Sequence, residues 1–418
     1  MKSVRVLTLL ACVLPASALA MLQFPGNQWL ADYAAATPTD VISRLQAGID
    51  RGDVKLVFDE EHGYLSSVLK ELRIPASSQS LVFSKTSFQL DKIAPWTPRA
   101  IYFNDDVYIG WVQRGRVIEV AAVDPKLGAV FYTLEQKAEE KPRFQREFNN
   151  CLQCHDAMLN TGGVPGFVVQ SVYSDRYGYP LPSDINPVSS DRTPLRNRFG
   201  GWYVTGTHGD QLHMGNFNAA EAAHEIGNVK IYLDRLNLTA TGNVTDLKKR
   251  FNTEPYLSPH SDIVAMMLLV HQTYLHNLMT LASTDTRAKD PQRAEALVKG
   301  MLFVREARLS GPIKGSTSFA AEFSSAGPRD HKGRSLRELD LNGRLLKYPL
   351  SYLIYSEGFN GLPFSVKTYV YRRLREVLTG QDDSPEFAHL SQTDRNAILE
   401  ILRDTKPDFA ETEVLPNR

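Results

Sequence analysis

Cysteine is almost missing from this chain. Only Cys12, Cys151 and Cys154 occur in 418 residues, which excludes a small fold stapled by many disulfides. An excess of charge is missing too. The 47 basic and 47 acidic residues balance, so nothing points to nucleic acid or to a strongly acidic partner. No stretch after the first twenty residues reaches eighteen apolar residues, and no membrane span is expected in the mature chain. Internal repeats and low-complexity tracts are also lacking. What remains is ordinary globular material, 43% hydrophobic and 22% charged, long enough for two or three compact units.

The first twenty residues stand apart. Lys2 and Arg5 precede an apolar run from Val6 to Leu14, and Ala18-Leu19-Ala20 closes it with an A-x-A pattern. That is the layout of a cleavable secretory signal. A rival reading makes Cys12 a lipoprotein site, but the apolar run before it is very short. Cleavage after Ala20 removes Cys12. The mature chain then holds two cysteines, side by side.

The rest divides by pattern. Asp40 to Asp50 fits a short helix with Val41, Ile42, Leu45 and Ile49 on one side. Between residues 80 and 135, short β-rich runs (Leu81–Phe83, Ala100–Phe103, Val107–Val112, Val117–Val123, Ala129–Tyr132) alternate with Asn, Asp, Gly and Pro turns, a hairpin signature. The charged stretch 136–147 reads as a boundary. Residues 149 to about 218 are rich in Gly, Pro, Ser and Asp, more loop than a domain tolerates unless it wraps a buried group. Ser258-Pro259 marks a helix start, with helical spacing from His260 to about Ala282. Further helices are expected over Ser365–Leu378 and Thr393–Arg403. The expected fold class is α+β: a leader at 1–20, an antiparallel β unit at 21–147, a loop-rich segment at 148–250 and a helical part at 251–418.

The chemistry lies in Cys151-Leu-Gln-Cys154-His155. Two thiols separated by two residues can add to the two vinyl groups of one porphyrin, and the adjacent imidazole then reaches the iron. Two other uses compete for such residues. A zinc site completed by His208 or His213 lacks the second C-x-x-C that loop zinc sites usually show. A thioredoxin-type redox pair needs a strand before it and a helix after it in a βαβ unit, and the flanks are charged coil and a Gly-rich loop.

The five residues resemble the haem-binding motif of c-type cytochromes. Phe199-Gly-Gly-Trp-Tyr-Val-Thr-Gly-Thr-His208 and His213-Met-Gly-Asn216 further resemble larger bacterial monohaem cytochrome c domain proteins. The long segment before the motif departs from the plan of small cytochromes c. The resemblance implies one covalent haem c, its iron held by His155, in a periplasmic or secreted bacterial protein. It implies no reaction. The leading expectation is electron transfer through that haem to a redox partner protein, with a haem enzyme or haem-based sensor as the alternative.

The iron's second face decides between these. Met214 follows His155 at a spacing similar to that of the methionine ligand in small cytochromes. His271 is the rival, centred on an apolar helical face among Val264, Met267, Leu268, Tyr274, Leu275 and Leu278. The same wheel puts His276 among Thr273, Asn277 and Thr280 on a polar side. His208, His213 and Met158 are weaker candidates. Arg192, Arg196 and Arg198 could neutralise haem carboxylates, and Trp202 and Tyr203 could stack near the ring. Asn237 and Asn243 fit the glycosylation pattern, which a bacterial protein discounts.

Overall fold

The computed structural model describes residues 32–182, 187–217, 242–284 and 291–411. The expected leader and Asn237 lie outside them. Residues Met1–Pro38 and Thr39–Arg418 form two compact units. Of the first, one helical turn over residues 32–35 is described. The second holds everything that follows.

The fold is α+β. Six antiparallel strands run as a meander: β1 (Ser80–Val82), β2 (Arg99–Phe103), β3 (Val107–Trp111), β4 (Val117–Asp124), β5 (Gly128–Glu135) and β6 (Phe144–Glu147). Sequence-expected strands account for the first five. The charged stretch at 136–147 is not a boundary. It turns the chain back and lays Phe144 beside Leu134 and Glu147 beside Phe131. Four residues of alternation hidden in charge carry too little pattern to be read as a strand.

Every position of β3 is buried, so both faces of the sheet are covered. On one face Tyr132 donates to Asp40 (2.5 Å). Asp40 caps helix α1 (Val41–Arg51), accepting from the amides of Ile42 and Ser43, so a single carboxylate ties helix to sheet. The other face carries two registered rows. One is Ile101, Gly110, Glu119, Thr133 and Gln145, and the next is Tyr108, Ala121, Phe131 and Glu147. Gly110 and Ala121 leave the middle of that face shallow.

After β6 come helix α2 (Asn149–His155), a turn of helix α3 (Met158–Thr161) and a long irregular stretch. Helix α4 (Ile263–Thr284) then runs through the centre, reaching β5 and packing on α5 (Gln292–Met301). It starts later than Ser258-Pro259 suggests. Asp262 is its cap, accepting from the amides of Val264 (2.8 Å) and Ala265 (3.3 Å). Two further helices, α6 (Phe364–Leu378) and α7 (Gln392–Thr405), fall where the periodicity puts them, and Ser391 with Asp394 closes a capping box on α7. The expected divisions near 147 and 250 do not separate compact units, because sheet, loops and α4 share one core.

Candidate functional site

The C-x-x-C-H residues form α2 itself. On a helix, positions 151, 154 and 155 lie within about 100° of one another, so both thiols and the imidazole share one face. Leu152 points elsewhere and is buried. Cys151 is half-buried and Cys154 exposed, and both are free thiols. That face looks onto a cavity of about 540 Å³. Its walls are Cys151, Cys154 and His155 on one side and, on the other, the shallow sheet face with Arg99, Gly110, Glu119 and Phe131. Residues 167–170, Trp202 and, from α4, Leu269 and Thr273 close it. Another hollow of about 500 Å³, bordered by Phe83, Pro95, Trp96, Tyr203, Lys249 and Arg250, holds none of the motif residues.

His155 is held by a chain of contacts that begins on α4. Asn277 accepts from the amide of Phe167 (2.8 Å) and donates to its carbonyl (2.7 Å). This fixes Gly166, whose amide donates to the His155 carbonyl (2.8 Å). The Gly166 carbonyl in turn accepts from His155 Nδ1 (2.8 Å). A Cβ on Gly166 would stand 2.4 Å from Asn277 Oδ1, so only glycine allows this approach. With its proton on Nδ1, the ring has an Nε2 lone pair to offer, the arrangement of a metal-binding histidine with an oriented outer partner. Burial lowers the His155 pKa, against the Gly166 bond, which keeps the ring neutral. The ring also packs on Phe131, centroids 4.7 Å apart.

The thioredoxin-type reading loses support. Burial first, then the charges of Glu147 and Glu119, push the Cys151 thiol up to about 12, whereas a redox-active pair needs a stabilised thiolate. The zinc reading fares no better. His208 and His213 sit together, ring centroids 4.6 Å apart, but neither lines the cavity. Among the described residues no group of three or more His, Cys, Asp or Glu side chains could hold a metal ion.

The structure does not bring the two leading second-face candidates to the cavity. Met214 is buried, and its sulfur accepts from Ser171 (3.6 Å). His271 is fully buried, with Nδ1 on the Asp191 carboxylate and Nε2 on the Ser351 hydroxyl, both at 2.8 Å, and its ring stacks on Phe303. Both nitrogens are spent. Apart from His155, no His or Met among the described residues lines the cavity. Met158 is exposed.

The expected arginines also lie away from the cavity. Arg198 donates to the carbonyls of Thr193 and Asp191, and Arg192 to that of Val304. None of Arg192, Arg196 and Arg198 borders the cavity, whereas Arg99 and Lys85 do. Trp202 lines it, with its indole donating to Gln170 (2.7 Å). Tyr203 bonds Pro95 and stacks on Phe251 outside it.

No residue of helix α4 is fully exposed, and its partly exposed stripe is Tyr274, Leu278 and Leu281 rather than the expected polar side. His276, Thr273, Asn277 and Thr280 are all buried. Tyr108, which accepts from Gln272, is left to donate to His276 Nδ1 (3.1 Å). Burial, then neighbouring imidazoles, lowers both His213 and His276 to about 3. Unfolding frees them to protonate below 6.5, so stability falls as pH drops from there toward 3, by up to roughly 1.4 kcal/mol per unit per site. Asp106 and Glu306, raised to about 7 by burial and neighbouring carboxylates, bind protons in the fold and offset this loss above about pH 4.5. Guanidinium midpoints should therefore fall most steeply below that pH, and less steeply for His276→Gln. Equal slopes for variant and parent would contradict the assignment.

The chain matches no protein-family model, no curated protein and no solved structure.

Proposed function

We propose that this chain is an exported protein carrying one haem c, joined through Cys151 and Cys154 and ligated by His155. We further propose that the iron's other face takes a small molecule. One observation carries the first statement: the helix face bearing both thiols and the oriented imidazole opens on a cavity within the roughly 300–1,000 Å³ range of cofactor sites. When bound, the group would supply a redox-active iron. The chain's own contribution is then to orient His155 through Gly166 and Asn277, to line the ring's pocket with Phe131, Phe167 and Trp202, and to keep bulk water from it.

The second statement rests on the cavity wall, where His155 is the sole imidazole or thioether among the described residues. It favours a haem enzyme or sensor. Electron exchange with a redox partner is the second reading, supported by Cys154, Met158 and Leu159, which are exposed together at the motif. A ferric spectrum separates the two. We expect high-spin, five-coordinate or water-ligated iron in the parent, and the same spectrum in Met214→Leu. A low-spin parent that turns high-spin in Met214→Leu would restore Met214 as ligand and the electron-carrier reading with it.

A further inference from the structure

Across the cavity from α2, the sheet presents an ion pair. Arg99 on β2 reaches over β3 to Glu119 on β4 (2.7 Å). The guanidinium can cross because position 110 is glycine: a Cβ there would stand 2.3 Å from Arg99 Nη2. Glu119 is spoken for, since it also accepts from Gln89 (3.0 Å). Arg99 is not, because its Nε is buried without a hydrogen-bond partner. The other charges on the wall are committed. Lys85 donates to the carbonyls of Leu90 and Ile93, and Glu147 accepts from Thr133. Arg99 and Glu119 both act electrostatically on His155 and on Cys151, so the pair stands close to the proposed iron ligand.

A guanidinium with unspent donors in a half-enclosed pocket favours negative charge. We infer that Arg99, steadied by Glu119 and seated over Gly110, makes this cavity selective for small inorganic anions, or for weak acids that ionise on binding. Carbon monoxide, which stays close to neutral when bound, gains little from it. The inference rests on the haem reading above and names the ligand class of that same site.

The test uses full-length protein matured with haem. Cyanide and fluoride are titrated into the ferric form and carbon monoxide into the ferrous form, each followed by absorbance. Loss of a charged hydrogen bond corresponds to about a tenfold to hundredfold weaker affinity. Arg99→Leu should weaken both anions by that factor and leave carbon monoxide within about threefold. Arg99→Lys, which keeps the charge, should fall between. Anion affinities unchanged in Arg99→Leu would overturn the inference while leaving the haem reading intact. So would an equal loss for all three ligands, or a shifted reduction potential without an anion effect, which would assign Arg99 to the haem carboxylates. Absence of haem from the parent would instead sink the reading on which it rests.

Discussion

If the proposed haem is present, replacing Cys151 and Cys154 together with alanine should remove its covalent attachment and loosen the segment from residue 149 to 217. The segment's described residues hold little regular structure: α2, one turn of α3, a 3-10 turn at Leu195–Asn197, the two-residue strand Gly206–Thr207 and isolated bridges. It closes over a cavity of about 540 Å³ against the sheet. The proposed group would pack against Phe131, Phe167 and Trp202 on the cavity wall, so losing it would remove binding energy that stabilises only the folded chain. A loss of several kcal/mol lowers the melting temperature by about 5 °C in a protein of this size. Limited proteolysis should cut the double variant within this segment while the parent resists. A variant that melts and resists protease like its parent would make the haem peripheral and would defeat this account of the loops.

His271→Ala should destabilise the fold strongly without altering the cavity at the motif, which His271 does not line. The imidazole joins three distant segments: Asp191 in the irregular stretch, α4, and Ser351. Its removal leaves a carboxylate in the core without its imidazole, and leaves a void beside Phe303. Breaking one partner of such a buried pair costs about 3–5 kcal/mol. Denaturant unfolding should report that loss, with the ferric spectrum unchanged from the parent. A change of spin state in His271→Ala would mean that the imidazole reaches the iron, and the assignment of both nitrogens would be wrong.

Both predictions draw on contacts that the sequence shows unevenly. The hairpin meander is readable because β2 to β5 are separated by turn residues at each end, and α1 because Asp40 precedes an apolar stripe. Strand β6 is hidden in a charged run. Helix α4 misleads in a more instructive way. A helical wheel sorts apolar from polar, but it cannot distinguish a face turned to water from one turned to a polar wall inside the protein. Thr273, His276 and Asn277 were on the expected polar side, and all three are buried, Asn277 gripping the loop that orients His155. The same limit separates Met214 and His271 from the site. Spacing along the chain and position on a wheel name residues able to ligate, while the partners that absorb them, Ser171, Asp191 and Ser351, come from far along the chain.

Arg99 and Glu119 did leave a trace. Strand alternation puts Glu119 on one face with Val117 and Ala121, a charge where the surrounding run is otherwise apolar. Such a residue needs a partner. Which partner it has depends on strand pairing, and that is not written locally. The motif is different because its chemistry is complete within five residues.

The mass of the intact polypeptide under denaturing conditions tests the central claim most directly. The chain is produced with its leader in a bacterium able to mature c-type cytochromes, then purified, and any loosely held haem is extracted with acid acetone. The account predicts the mass of the polypeptide plus one haem, on a chain that begins after Ala20, with the increment mapping to the peptide containing Cys151 and Cys154. A mass equal to the bare polypeptide, with both thiols free to alkylate, would contradict it.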